Sequence, residues 1–229
     1  MKRKRVCWSE LAYVFGIAAL ALGTALMERA DFGMSMVVAP AYLIHVKLSQ
    51  TLPFYSFGMS EYVFQAVLLL ALCIALGRFK KGYLLSFGTA VLYGFTLDGA
   101  IRLTGLLPPG GWVDRIVCYL LGLLLCAIGV SFLFHTYIPP EAYELFVKEL
   151  STRYGWNIHR VKTVYDACSC LLGVLLSFAF FGFGTFVGVK LGTVVCAAVN
   201  GVLIGGVSRV LESVFEFRDA FPWRQALAR

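Results

Sequence analysis

Charged side chains are scarce in this sequence: aspartate, glutamate, lysine and arginine together make up 14% of its 229 residues. Soluble domains carry about 25% charged residues, so the composition argues against a soluble protein. Hydrophobic residues account for 59%, and they gather in runs long enough for helices that cross a hydrocarbon layer, each of which takes about 20 residues. The sequence therefore predicts an all-α polytopic membrane protein, with residues 1–229 forming a single transmembrane domain.

The short motifs of catalysis are also lacking. The sequence contains no glycine-rich phosphate-binding loop that ends in lysine and no His-Glu-x-x-His segment. The nearest approach to a metal motif is Cys168-Ser169-Cys170, whose spacing is wrong for a zinc site and which has no histidine nearby. We therefore predict that the protein is not an enzyme and binds no cofactor or metal. An intramembrane enzyme is a distant alternative.

Six long apolar runs predict six transmembrane helices. Their predicted bounds are 11–28, 61–77, 83–105, 115–136, 161–182 and 186–208. Two further segments, Val37–Leu48 and Glu141–Leu150, mix apolar and polar residues and are too short to cross the membrane. We expect each of them to form a short amphipathic helix that lies at the interface or re-enters the membrane.

The net charge of +7 reflects basic residues at the ends of the apolar runs. This placement is typical of membrane anchors and does not indicate a nucleic-acid partner. Positive residues favour the cytoplasmic side, so the basic stretch at residues 2–5 predicts a cytoplasmic N-terminus. With six helices the C-terminal tail, residues 209–229, is then cytoplasmic as well.

The chain reads as two copies of one unit, which span residues 11–105 and 115–208. The segment Ala41–Leu48 resembles Ala142–Leu150 with one insertion, and a seven-residue spacing of glycines occurs in both first helices. The glycines are Gly16 and Gly23 in the first copy and Gly122 and Gly129 in the second. Each copy holds three transmembrane helices, an odd number, so the second copy is predicted to be inverted in the membrane. Inverted repeats are a recurrent architecture of secondary transporters.

Four polar residues within the predicted membrane helices are the candidate solute-binding residues. Asp98 and Arg102 lie four apart, so they share a helix face and can form an ion pair. Asn200 needs a hydrogen-bond partner in hydrocarbon, either a neighbouring helix or a solute. Lys190 lies near the predicted external end of the last helix and either extends to the interface or points inward. If they face inward, Arg102, Lys190 and Asn200 favour an anionic or zwitterionic solute.

Two other groups of charged residues have a simpler interpretation. Glu61 opens the second predicted helix, where it lines an outer vestibule or a solvated rim. Lys162 and Asp166 lie four apart at the predicted cytoplasmic end of the fifth helix, where interface anchors are common.

Several loose patterns resemble the YczE, YyaS and YitT group of bacterial membrane proteins. They are Asp31-Phe32-Gly33-Met34-Ser35, the basic loop Arg78-Phe79-Lys80-Lys81-Gly82, Arg160 followed by Asp166, and Phe181-Gly182-Phe183-Gly184-Thr185. The resemblance implies a multipass protein of the bacterial plasma membrane and does not indicate a substrate.

Two functions remain open at this point. The first is a secondary transporter, or channel-like carrier, of a small polar solute that binds between the third and sixth membrane helices. The second is a non-transporting membrane partner or assembly factor, or the substrate-binding subunit of a multi-component importer. In that case Gly188 and Gly192 would form the docking face, and the small residues of the last helix also permit a homodimer.

Overall fold

The structure, a computed structural model, describes residues 5–108 and 110–220. Its helices are α1 (Ser9–Ala30), α2 (Ala39–Leu48), α3 (Phe57–Leu76), α4 (Lys81–Gly105), α5 (Trp112–Phe134), α6 (Ala142–Tyr154), α7 (Ile158–Phe181) and α8 (Leu191–Val214). Two short strands, β1 (Arg5–Trp8) and β2 (Phe215–Arg218), pair in parallel. We call the end of the bundle that carries these strands the terminal end and the other the opposite end.

Six of these helices are long and apolar enough to cross a membrane: α1, α3, α4, α5, α7 and α8. The prediction of a helical protein with six such segments is therefore confirmed, and a protein of this kind contacts the lipid bilayer. The remaining two, α2 and α6, have 10 and 13 residues. Both are shorter than the hydrocarbon thickness, which requires about 20 residues.

Five of the predicted long segments agree with the structure to within a few residues, but the last one does not. The prediction begins at residue 186, whereas α8 begins at Leu191 and continues to Val214. The preceding loop is apolar, so hydropathy alone does not separate it from the helix. Its glycines Gly182, Gly184 and Gly188 have φ angles of +98°, +85° and +69°, which end a helix because L-residues rarely adopt them. Residues 221–229 of the predicted tail lie outside the described residues.

The centre of the bundle is the antiparallel pair α1 and α5. Gly16 lies against Gly129, and Gly23 lies against Gly122, so the two backbones approach closely. On either side, α4 packs on α1 and α8 packs on α5, while α3 packs on α4. The short helices fill the remaining space: α2 contacts α3 and α7, and α6 contacts the same two helices.

A polar cavity between the two short helices

The short helix α6 runs from the interior of the bundle to the terminal end. At its inner end the backbone N–H of Ala142 donates to Oε1 of Gln65, 3.1 Å away. Gln65 lies eleven residues before the end of α3, about 17 Å along the helix, which is near the middle of a hydrocarbon layer of about 30 Å. At its outer end Glu149 accepts from Nζ of Lys80 at 2.6 Å. The N-terminus of α6 is therefore deep in the protein.

The short helix α2 runs in the opposite sense, from the interior to the opposite end. Just before its inner end, the backbone N–H of Met34 donates to the carbonyl of Gly188 at 2.7 Å. At its outer end Nζ of Lys47 donates to the carbonyl of Phe180 at 3.2 Å, beside the end of α7. Both short helices thus direct their N-termini inward, and a helix N-terminus carries a partial positive charge.

A cavity of about 100 Å³ lies between these two inner ends. The segment before α2 contributes Ser35 to its wall, and the start of α6 contributes Glu141. The long helices α1, α4, α5, α7 and α8 complete the wall, so residues from both halves of the chain surround one space. The remaining polar lining residues are Thr24, Tyr93, Cys126, Tyr143, Glu144, Lys162, Cys196 and Asn200.

Charges of both signs line this cavity. Nζ of Lys162 lies 2.9 Å from Glu144 on α6 and 3.2 Å from Asp166 on its own helix. Lys162 is the single lysine or arginine among the lining residues of the described chain. The predicted pair Lys162–Asp166 therefore exists, but it forms part of the cavity region and links α7 to α6 instead of serving only as an interface anchor.

Asn200 extends from α8 into the same cavity. Its Oδ1 atom is buried and has no hydrogen-bond partner among the described residues. A buried amide oxygen without a partner is costly, so this atom is available to a bound donor.

Behind Glu141 lies a second buried carboxyl group, Glu61 of α3, whose side chain has no exposed surface. Oη of Tyr143 donates to Oε2 of Glu61 at 2.8 Å, and Nε2 of Gln65 donates to the same oxygen at 3.3 Å. Oε1 of Gln65 accepts from the backbone N–H of Ala142, the residue after Glu141. Oε1 of each glutamate is buried without a partner in the described chain. Burial, followed by the nearby charge of Glu61, raises the pKa of Glu141 well above that of an ordinary glutamate.

The structure separates the four predicted site residues. Asp98 accepts from Oγ of Ser56 at 2.5 Å and from the backbone N–H of Gly58 at 2.8 Å, which caps the N-terminus of α3. Arg102 is exposed and forms no ion pair with Asp98 or any other described residue. The expected Asp98–Arg102 pair is wrong because the free N–H groups at the start of α3 provide Asp98 with closer partners.

Lys190 and Asn200 also lie apart, although both belong to the last membrane segment. Lys190 precedes the first residue of α8, and its Nζ pairs with Oδ1 of Asp31 at 2.5 Å. Ten residues of helix, about 15 Å, separate it from Asn200. Of the four, only Asn200 lines the cavity, and the extensive contacts of α8 are with α5 and not with α4. The structure thus does not bring the four residues together at one place.

Sequence reasoning missed the interior roles of Glu61, Gln65 and Glu141. The predicted second helix begins at residue 61, so Glu61 is expected at the end of that helix, in an outer vestibule or at a solvated rim. In the structure α3 begins at Phe57, so Glu61 lies one turn inside the helix. A usable signal was present, since Glu61 is the single charged residue of a 20-residue apolar helix, and ionisable residues inside membrane helices are functional candidates by default.

The comparison with known sequences identifies the family. A family described as “Family of unknown function (DUF6198)” matches residues 7–209, which is most of the chain, and the protein belongs to it. No curated protein and no solved structure matches the chain. The resemblance to the YczE, YyaS and YitT group is untested by this match and stays a prediction.

Proposed function

We propose that this DUF6198 protein is a secondary carrier for a small zwitterionic or anionic solute, with alternating access between two inverted halves. The solute would occupy the cavity between the inner ends of α2 and α6. Lys162 and the two helix N-termini would attract a carboxylate or similar group. Glu144 and the amide oxygen of Asn200 would receive the donors of an ammonium group.

Reciprocal glycine contacts support the inverted repeat. The seven-residue spacing pairs Gly16 with Gly122 and Gly23 with Gly129 as equivalent positions. In the α1–α5 contact Gly16 meets Gly129, and Gly122 meets Gly23, so exchanging the two copies reproduces the same contacts. Reciprocity of this kind is characteristic of two-fold symmetric interfaces.

Two tyrosines give independent support. Oη of Tyr13 on α1 lies 2.8 Å from Oγ1 of Thr89 on α4. Tyr119, which occupies the equivalent position of α5, donates to the carbonyl of Gly192 on α8 at 2.5 Å. The short helices follow the same exchange, since α2 of the first copy contacts α7 of the second and α6 of the second contacts α3 of the first.

The charge distribution favours one orientation. Basic residues accompany the terminal end, where Arg78 and Lys80 surround Glu149. By the positive-inside rule we place this end, with both chain termini, in the cytoplasm of a bacterial cell and the protein in its plasma membrane. The opposite end, with Asp31 between Arg115 and Lys190, then faces outward.

The observation that carries the proposal is the unpartnered Oδ1 of Asn200 in a cavity shared by both halves. The test is a thermal-shift screen of the detergent-purified protein against amino acids, organic anions and cations, nucleobases and vitamins, because a ligand of the folded state raises its stability. We expect a hit among the zwitterions or anions that is weakened at least tenfold in Asn200→Ala.

The matched control is Ser213→Ala on the same helix, where the exposed hydroxyl bonds only the carbonyl of Val210. It should bind like the parent protein. A hit that survives unchanged in Asn200→Ala would remove Asn200 from the site. The absence of any hit would contradict the carrier and favour the alternative below.

The second candidate function, a partner subunit or assembly factor, is favoured by the exposure of α7 and α8. In the most apolar part of each helix, 17% of α7 and 11% of α8 are buried inside the protein, compared with 56% of α1. The docking face, however, cannot be Gly188 and Gly192, which pack against Tyr42 and Phe32 inside the protein. An open stripe exists at Gly201, Gly205 and Gly206, where an added methyl group would meet no atom of another element within 4 Å. Under this alternative, or in a homodimer, Gly205→Leu would abolish capture of the partner or second copy.

A further inference from the structure

We infer that Glu61, Gln65 and Glu141 form a proton-binding site in which one of the two carboxyl groups keeps its proton, and that this proton is the coupling ion of the carrier. The inference rests on the proposed function for its role in transport. The protonation itself follows from the geometry of the site.

Two carboxyl groups lie buried beside Gln65 in the interior. Nε2 of Gln65 donates to Glu61, and its Oε1 accepts from the backbone N–H of Ala142, the residue after Glu141. The amide of Gln65 therefore lies beside both glutamates. Both side chains are more than nine-tenths buried, at 0% exposure for Glu61 and 7% for Glu141. Each directs one oxygen, Oε1, into the interior without a partner among the described residues.

Neutral and acidic groups dominate the surroundings of the pair. The groups that face it are Tyr13 on α1, Tyr93 on α4, Cys126 on α5, Tyr143 and Glu144 on α6, and Tyr165, Lys162 and Asp166 on α7. Lys162 is the only cation in this set, and it is engaged by Glu144 and Asp166. Two adjacent buried carboxylates without a cation cannot both ionise at low cost, so one proton is retained.

The groups around the two glutamates favour a proton over a metal ion. The side chains nearest the pair, Tyr143 and Gln65, direct an O–H and an N–H toward Glu61, and such donors oppose a metal cation. The described residues contain no group of three or more histidine, cysteine, aspartate or glutamate side chains with metal-binding geometry. A proton needs a single oxygen atom, whereas a metal ion needs several donor atoms around it.

Glu141 connects the proton site to the proposed solute cavity. Glu141 lines the cavity, whereas Glu61 lies behind it. The proton therefore enters and leaves through the solute cavity, by way of Glu141. Loss of the proton adds a negative charge at the inner end of α6 and changes the charge that an anionic or zwitterionic solute meets there.

Infrared difference spectroscopy of the solute-free, detergent-purified full chain tests the site directly, because a protonated carboxyl group has a C=O stretch distinct from that of a carboxylate. We expect a protonated carboxyl band at pH 7 that is present in the parent and absent in the double variant Glu61→Gln/Glu141→Gln. In Glu141→Gln alone, the band should disappear at a lower pH than in the parent. The remaining carboxyl group, Glu61, then has no charged Glu141 beside it. Glu149→Gln, on the exposed end of the same helix, is the matched control and should keep the parent band.

A parent spectrum identical to that of the double variant at pH 7 would overturn the inference, since both groups would then be ionised. A titration that moves when sodium replaces choline would also overturn it, because sodium would then be the ion held by the pair. The solute screen is a separate readout. A protein that binds a solute but lacks the protonated carboxyl band would be a carrier that is not coupled to protons. A protein that shows the band but binds no solute would have the proton site without the proposed function.

Discussion

Gly23 and Gly122 bring α1 and α5 into backbone contact: a methyl group on either residue would lie 2.7 Å from the carbonyl oxygen of the other. Gly16 and Gly129 form a second contact of the same kind, further along the same helix pair. These four glycines set the distance between α1 and α5, and any movement of one helix against the other must act on this contact.

The first prediction follows from this closeness. Gly23→Ala and Gly122→Ala should each lower the free energy of unfolding by about 1–3 kcal/mol, the usual cost of overpacking. Gly201→Ala is the control, because a methyl group added at Gly201 of α8 would meet no atom of another element within 4 Å. This variant should be neutral or slightly stabilising. Residual monodisperse protein after heating in detergent measures all three, and equal loss in Gly201→Ala would contradict the packing argument.

The second prediction concerns Asp98, which caps α3 through Ser56 and Gly58. Asp98→Ala should destabilise the protein by about 1–2 kcal/mol, the cost of losing a good helix cap. Its affinity for any solute found in the screen should be unchanged. Arg102→Ala, at an exposed position of α4, the helix that carries Asp98, should alter neither property. A loss of solute affinity in both variants would restore the site first expected from the sequence.

The third prediction concerns Lys190, whose Nζ pairs with Asp31 at the opposite end of the bundle. Lys190→Met should cost less than about 1 kcal/mol, because exposed ion pairs contribute little. It should leave solute affinity intact, since ten residues separate Lys190 from Asn200. Binding isotherms for Lys190→Met and Asn200→Ala, measured together, check this difference, and similar losses in both would place Lys190 in the site.

The sequence predicts the fold better than the site, and the reason is physical. Hydropathy reports the exchange of water for lipid, so it locates the long helices, and the order of long and short segments follows. It does not report backbone angles, so the prediction includes residues 186–190 of the apolar loop, with Gly188, in the last helix. The strands β1 and β2 were also missed, although Phe215-Glu216-Phe217-Arg218 alternates apolar and polar residues as a strand does.

The site was harder because spacing along a helix does not determine which partner a side chain finds. Asp98 and Arg102 have the spacing of an ion pair, but the free N–H groups of a third element, α3, are closer to Asp98. Conversely, Glu61 and Glu141 are 80 residues apart and become neighbours only because α6 enters the interior beside α3. A contact of that range depends on tertiary packing and leaves no local pattern.

The fourth prediction is a dependence of stability on pH that Glu141 imposes. Its pKa is raised above its ordinary value by burial and by the charge of Glu61, so the folded state binds the proton more tightly than the unfolded state. The resulting stabilisation is fully present below the ordinary pKa of glutamate and is lost as pH rises through the raised pKa. The melting temperature of the parent should fall over this range, and that of Glu141→Gln should fall less. An equal slope in the two proteins would contradict the prediction.

The last prediction concerns Lys162, which holds Glu144 and Asp166 together beside the cavity. Lys162→Met should destabilise the protein by about 1–3 kcal/mol, less than the loss for a fully buried pair because its side chain is 32% exposed. Most of that loss arises from two carboxylates left close together without their cation. The double variant Lys162→Met/Glu144→Gln should therefore be more stable than Lys162→Met alone. If Lys162 also attracts an anionic group of the solute, the double variant will recover stability without recovering solute affinity. Recovery of both would show that the lysine acts only in packing α7 against α6.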